Sequence, residues 1–227
     1  MTDNTQTAEI FSQIVASRRS IRAFLPQAVP QALLEKIFTL ANQTPSNCNV
    51  QPWIVHVLSG ASVEKLRARL MQAATQEQPQ PDVPVTTHYV DQYKARRIGA
   101  AVALFEATGV ARDDMAARQA SALRNFTLFD APHAALFFMP KYFGLREAAD
   151  CGAYLQTLML ALTAYGLGSC AQGALSKYMR AVREVIAVPE DLICLFGMSF
   201  GYPDYSHPSD SARTDRAPLE QIVTFHD

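Results

Sequence analysis

The sequence predicts an α+β fold, a small sheet clasped by helices, and two features predict it. Segments with apolar residues at helical spacing outnumber strand-like apolar runs. Those runs are also too dispersed for the regular alternation of strand and helix that a doubly wound parallel sheet requires.

From the N-terminus, Ile10, Phe11, Ile14 and Val15 recur at helical spacing. Pro30 stands at a first helical position, and Leu33, Leu34, Ile37, Phe38 and Ala41 follow it on one face. The stretch TPSNCNVQP ends that helix and leads into residues 53–58, a strand-like run. Ser62 reads as the N-cap of a helix through Leu66 and Leu70. Pro79, Pro81 and Pro84 exclude regular helix from residues 75–87. That stretch is short enough for an internal loop, so the chain reads as one domain, 1–227, with an excursion over 75–126. After the loop, residues 89–108 and 113–125 read as helices, and 134–139 as a buried strand. Residues 147–165 form a long, mostly apolar helix that Gly166 stops. Its few polar positions predict cover on several sides, a second subunit included. A short amphipathic helix over 177–186 and a buried strand over 192–196 complete the reading.

Composition excludes several classes. The 227 residues are 49% apolar and carry a net charge of −1, without the basic surplus that drives binding to nucleic acid. No apolar run reaches the ~18–20 residues of a membrane span. Cys48, Cys151, Cys170 and Cys194 are scattered singly, with no zinc spacing, so no metal site is predicted. They read as small hydrophobes in a reducing compartment. The polar opening MTDNTQTAEI has no signal region, which points to the cytoplasm.

Two motifs are decoys. Residues 197–201, GMSFG, match the nucleophile elbow G-x-S-x-G, but Tyr202-Pro203-Asp204 follows where a helix must start. The remaining triad candidates for Ser199, Asp204 or Asp210 with His207 or His226, crowd into the last residues, where a hydrolase has intervening strands and helices. Gly197 and Gly201 read better as tight backbone at a strand end. Residues 166–171, GLGSCA, match the dinucleotide fingerprint, yet they follow a helix instead of preceding one, so they read as a helix C-cap.

The chemistry lies elsewhere. Residues 17–24, SRRSIRAF, set three guanidiniums within five positions. Guanidinium is always charged and forks onto phosphate oxygens. In an extended segment Arg18, Ser20 and Arg22 line one side of a ligand. Residues 44–53, TPSNCNVQPW, offer hydroxyl and amide groups suited to the edge of a heterocycle. Together these strings resemble the start of the FMN-dependent nitroreductase family. The resemblance continues through NFTLFDAP (125–132), the GLGSCAQG segment (166–173), FGYPD (200–204) and an Arg-containing tail.

The resemblance implies a small central mixed sheet flanked by helices in an intertwined homodimer, with two FMN molecules at the interface. It implies that Arg18 and Arg19 approach the phosphate or ribityl end, that Ser20 meets the pyrimidine edge, and that Arg22 sits near flavin N1/O2. Pro45, Ser46, Asn47 and Asn49 reach the flavin from the other subunit; Asn47 stands where many members have Ser. The backbone of Gln172-Gly173 faces N5, and Arg213 or Arg216 closes on the phosphate. The excursion covers the active site, and no substrate contact is carried onto it.

The activity implied is ping-pong hydride transfer from NADH or NADPH to an electron-poor nitroaromatic, giving nitroso and then hydroxylamine. FMN N5 carries the chemistry and no side chain serves as a catalytic group; His56 and His133 read as core residues. Quinone or enone reduction, reductive dehalogenation, flavin fragmentation and a non-catalytic FMN-binding role are the alternatives.

Overall fold

The run HAALFFMP is apolar on both alternating faces, which suits a strand covered on each side. In a computed structural model, which describes residues 4–226, it is the second of four strands. These are β1 (Ile54–Ser59), β2 (His133–Pro140), β3 (Gly168–Gln172) and β4 (Leu192–Gly201), in the order β1-β2-β4-β3. Around them lie α1 (Asn4–Ser17), α2 (Gln31–Ala41), α3 (Ala61–Gln76), α4 (Asp91–Ala107), α5 (Met115–Leu123), α6 (Leu145–Ala164) and α7 (Met179–Val185).

Alternation along β2 divides the core. Ala134, Leu136 and Phe138 pack with Leu66 and Leu70 of α3 and Val182 of α7. Ala135 and Phe137 pack on the opposite face with Ile37 of α2 and Leu158 of α6. Each such large side chain contributes about 1.5–3 kcal/mol of burial. All three strand pairings are antiparallel. Among the described residues parallel pairing is confined to the isolated bridges Ser20–Ser169 and Gln80–Tyr178, so the sheet expected to be mixed is antiparallel in its strands.

Local chemistry sets most boundaries. Leu33 and Leu34 donate to the Pro30 carbonyl, so Pro30 opens α2 from the cap position. Ser62 does not cap α3. Gly60 takes a left-handed φ of 55° and starts the helix earlier, while Ser62 Oγ folds back onto the backbone of Ser59. The helix α3 then runs to Gln76, past the start of the expected loop.

At the end of α6, Gly166 takes φ 72°. Its N–H bonds the Thr163 carbonyl and the Leu167 N–H bonds that of Leu162, a Schellman closure, so the fingerprint-like glycines do terminate a helix. The buried positions of α6, from Cys151 to Leu162, form one stripe, and this chain leaves the opposite face open. β3 is a defined strand, and β4 runs five residues beyond its expected end. Neither α1 nor α4 buries a single side chain. Among the described residues no helix is long and apolar enough to cross a membrane.

His133, at the start of β2, ties three segments together. Its Nε2 accepts the Val29 N–H at 2.8 Å, its Nδ1 lies 2.6 Å from Ser59 Oγ, and its ring stacks on Phe200. Accepting at Nε2 requires the neutral ring with its proton on Nδ1. Burial holds the His133 pKa below the ordinary histidine value. The unfolded chain therefore takes up a proton that the folded one resists, and His133 lowers stability as pH falls below about 6.5. Thermal unfolding followed from pH 7.5 down to pH 5 is expected to show this loss. His133→Gln, with a neutral acceptor in the ring's place, is expected to show a smaller drop over the same interval.

Candidate functional site

The segment after α1 is extended because it is paired to the sheet edge. Ser20 bridges Ser169 of β3, and Ile21 N–H donates to the Ser169 carbonyl at 3.0 Å. Farther along, Phe24 bridges Pro203, Leu25 N–H bonds the Tyr202 carbonyl, and Asp204 N–H bonds that of Ala23. Gly168 makes this approach feasible, since a Cβ there would fall 2.7 Å from the Ile21 side chain. Ile21 and Ala23 turn inward and are buried, while Arg18, Ser20 and Arg22 remain half-buried, as alternation requires.

These residues line a cleft of about 820 Å³, within the ~300–1,000 Å³ usual for small-molecule sites. The structure brings six of the twelve expected site residues together there: Arg18, Arg19, Ser20, Arg22, Arg213 and Arg216. Ala100 and Leu104 of α4 and Gln156 of α6 complete the wall. Gln156 was open to detection, as a polar position within the apolar run of α6. The α4 pair gave no sign, because small and aliphatic residues on a helix look the same facing a core or a ligand.

The electrostatics are one-sided. Burial and the nearby Arg216 charge both lower the Arg18 pKa. Among the described residues no carboxylate forms an ion pair with Arg18, Arg22, Arg213 or Arg216. Among the described residues Arg216 bonds only the backbone and hydroxyl of Thr214 and the Asp215 carbonyl; Arg213 bonds the carbonyls of Asp210 and Ala212. Cations gathered without acids are a site for an anion. Arg19 differs from its neighbours. Its guanidinium is held by both oxygens of Asp210, with Nη2 at 2.7 and 2.9 Å.

The other expected residues lie outside the cleft lining. Pro45, Asn47 and Asn49 are exposed and Ser46 half-buried. Cys48, Asn49 and Gln51 all take left-handed φ without being glycine. The strained turn is held by Gln51 N–H to Ser46 Oγ and by Asn47 N–H to Asp150 Oδ2 on α6. Gln172 is buried and its amide is used up: Nε2 donates to the Asn125 carbonyl and Oε1 accepts from Ser199. Only the backbone of the Gln172–Gly173 step is left for a ligand; Gly173 is exposed.

Ser199 is fully buried within β4, so no nucleophile elbow exists. A Cβ on Gly197 would collide with Leu175, which accounts for the first glycine of that motif.

A smaller cavity of about 350 Å³ branches from the cleft, sharing Arg22 and Leu104. Its walls include Val110 and Phe129, and Arg124 Nη1 lies 3.0 Å from His207 Nε2. Burial and the Arg124 charge lower the His207 pKa. The arrangement as a whole offers an anion subsite and an apolar branch.

Comparison with known proteins agrees with this chemistry. The sequence profile of the nitroreductase family matches residues 15–202. The nitroreductase NfnB of Mycolicibacterium smegmatis is 38% identical over 224 residues, covering 98% of this chain and 94% of that protein. A 4-nitrobenzoate reductase from a Nocardioides species is 34% identical over 227 residues, covering 96% and 90% respectively. A crystal structure of FMN-dependent NfnB from Mycobacterium smegmatis, in complex with NADPH, superposes with a TM-score of 0.93. It is 36% identical, and the match covers 97% of this chain and all of that one.

Proposed function

The chain belongs to the nitroreductase family, and from that premise we propose that it is an FMN-dependent NAD(P)H oxidoreductase that reduces nitroaromatic compounds. The observation that carries the reading is the crowding of Arg18 and Arg216 in one cleft, neither of them ion-paired to an acid among the described residues. A phosphate monoester fits that donor set, since it brings the negative charge the guanidiniums lack. Bound FMN supplies two-electron redox chemistry between NADH or NADPH and a nitroarene, in ping-pong order.

The protein's part is binding and field. Arg18, Arg213 and Arg216 would hold the phosphate. Ser20, fixed at the sheet edge, would present its hydroxyl to the pyrimidine edge. Arg22 would place a permanent positive charge on the N1/O2 side, where it stabilises negative charge on the reduced ring. The backbone N–H of the Gln172–Gly173 step would face N5, with Gln172 immobilised by Asn125 and Ser199. Ala100 and Leu104, on the excursion 75–126, exclude water from one side of the cleft. No side chain need act as nucleophile.

The reading extends to a homodimer. Two helices without a buried side chain expose Ile10 and Phe11 on α1 and Ile98 and Val102 on α4, apolar surface that a second copy would cover. The loop Pro45, Ser46, Asn47 and Asn49 would then reach the partner's flavin, which explains why it lies outside its own chain's cleft. The free thiols suit a reducing compartment, the cytoplasm.

The purified protein is expected to show the flavin absorption band and to oxidise NADH or NADPH when given nitrobenzene or 4-nitrobenzoate. A colourless protein that cannot be reconstituted with FMN overturns the proposal, and bound, reducible FMN without turnover leaves only a carrier. Arg18→Ala is expected to weaken FMN binding by about 1.5–3 kcal/mol, the worth of one charge-assisted contact, measured by flavin fluorescence titration. Sedimentation at micromolar concentration is expected to give a dimer; a flavin-loaded monomer there refutes the shared site.

A further inference from the structure

We infer that the Arg19–Asp210 ion pair is a clamp that delivers Arg213 and Arg216 to the anion, so that Arg19 is a positioning residue and not itself a phosphate ligand. The inference rests on the reading of the cleft as the FMN phosphate site.

The geometry is two-handed. Arg19 Nε lies 3.2 Å from Asp210 Oδ1, and Nη2 lies 2.7 Å from Oδ1 and 2.9 Å from Oδ2. On its face the guanidinium rests 5.3 Å from the centre of the Tyr205 ring. A fork engaged along one edge by a carboxylate cannot grip a phosphate along that edge without giving up the pair. Asp210 sits in the turn Pro208–Ser211, and its N–H bonds the His207 carbonyl at 2.9 Å. The carboxylate of Asp210 thus holds Arg19 while its carbonyl accepts a hydrogen bond from Arg213. One residue links the sheet-anchored strap to the arm that carries both tail arginines.

The arm needs such an anchor. Residues 213–216 are exposed, and the bonds of Arg213 and Arg216 go to their own segment. Arg216 also faces the like charge of Arg18, which opposes its approach to the cleft. The arm lines the cleft in spite of that repulsion. The Arg19–Asp210 pair, with side chains 29% and 20% exposed, is shielded enough to supply the restraint.

The test compares FMN with riboflavin, which lacks the phosphate. Full-length protein stripped of flavin is titrated with each, for the wild type and for Asp210→Asn. The clamp predicts that FMN binding weakens about tenfold in the variant, as tail contacts to phosphate are lost, while riboflavin binding is unchanged. If Arg19 were a phosphate ligand, neutralising Asp210 would free it, and FMN binding would hold or tighten; that result overturns the inference. Equal losses for both flavins also overturn it, since they mean general damage to the scaffold.

Arg19→Gln breaks the pair from the other side and is expected to give the same selective loss, whether or not Asp210→Asn folds well. Arg216→Ala is expected to cost less in the Asp210→Asn background than in the wild type; additive losses count against the clamp. A wild-type protein that binds neither flavin refutes the FMN reading itself and is recognised before any variant is made.

Discussion

One backbone hydrogen bond, from Ile21 N–H to the Ser169 carbonyl, fastens the arginine-rich strap to the edge of the sheet. Everything at the site depends on it. It makes residues 18–22 extended, and extension puts Arg18, Ser20 and Arg22 on the outer face while Ile21 is buried. The bond is possible because Gly168 leaves no side chain between strap and strand. A helical or looped strap with the same residues would scatter its guanidiniums, and the cleft would lose its sign.

That placement costs stability. Guanidiniums brought close without counter-charges repel, and partial burial raises the cost of keeping Arg18 charged. An anion bound between them would relieve that repulsion, and its binding would be linked to stability through the usual mass-action relation. The carboxylate close to this cluster, Asp210, pairs with Arg19 and not with Arg18 or Arg216.

Patterning alone made much of this molecule legible. The 3.6-residue spacing of Leu33, Leu34, Ile37 and Ala41 and the unbroken apolar run of β2 identify their elements, because burial on one or both faces leaves a periodic mark. The closing of α6 by Gly166 was legible for the same kind of reason, since φ 72° favours glycine. Ser62 misled because a helix can begin through the conformation of a neighbouring glycine as readily as through a capping hydroxyl.

At the site, charge density marked the strap and the family resemblance marked the tail, but pairing was invisible. Nothing in the sequence says that Arg19, among three arginines in five residues, finds an acid far along the chain. The left-handed φ at Cys48 and Gln51 was equally hidden, because neither residue type carries a compositional sign of that conformation.

The sheet order also has a kinetic consequence. β2 finds its principal neighbour in β4, with His133 opposite Phe200, so α6, β3 and α7 all lie between the two strands along the chain. During synthesis β2 leaves the ribosome with β1 already made but its other partner, β4, still to come. Both helical layers lack a completed platform until residues near 200 emerge. Nascent chains stalled before β4 are thus the species most exposed to aggregation and most in need of a chaperone.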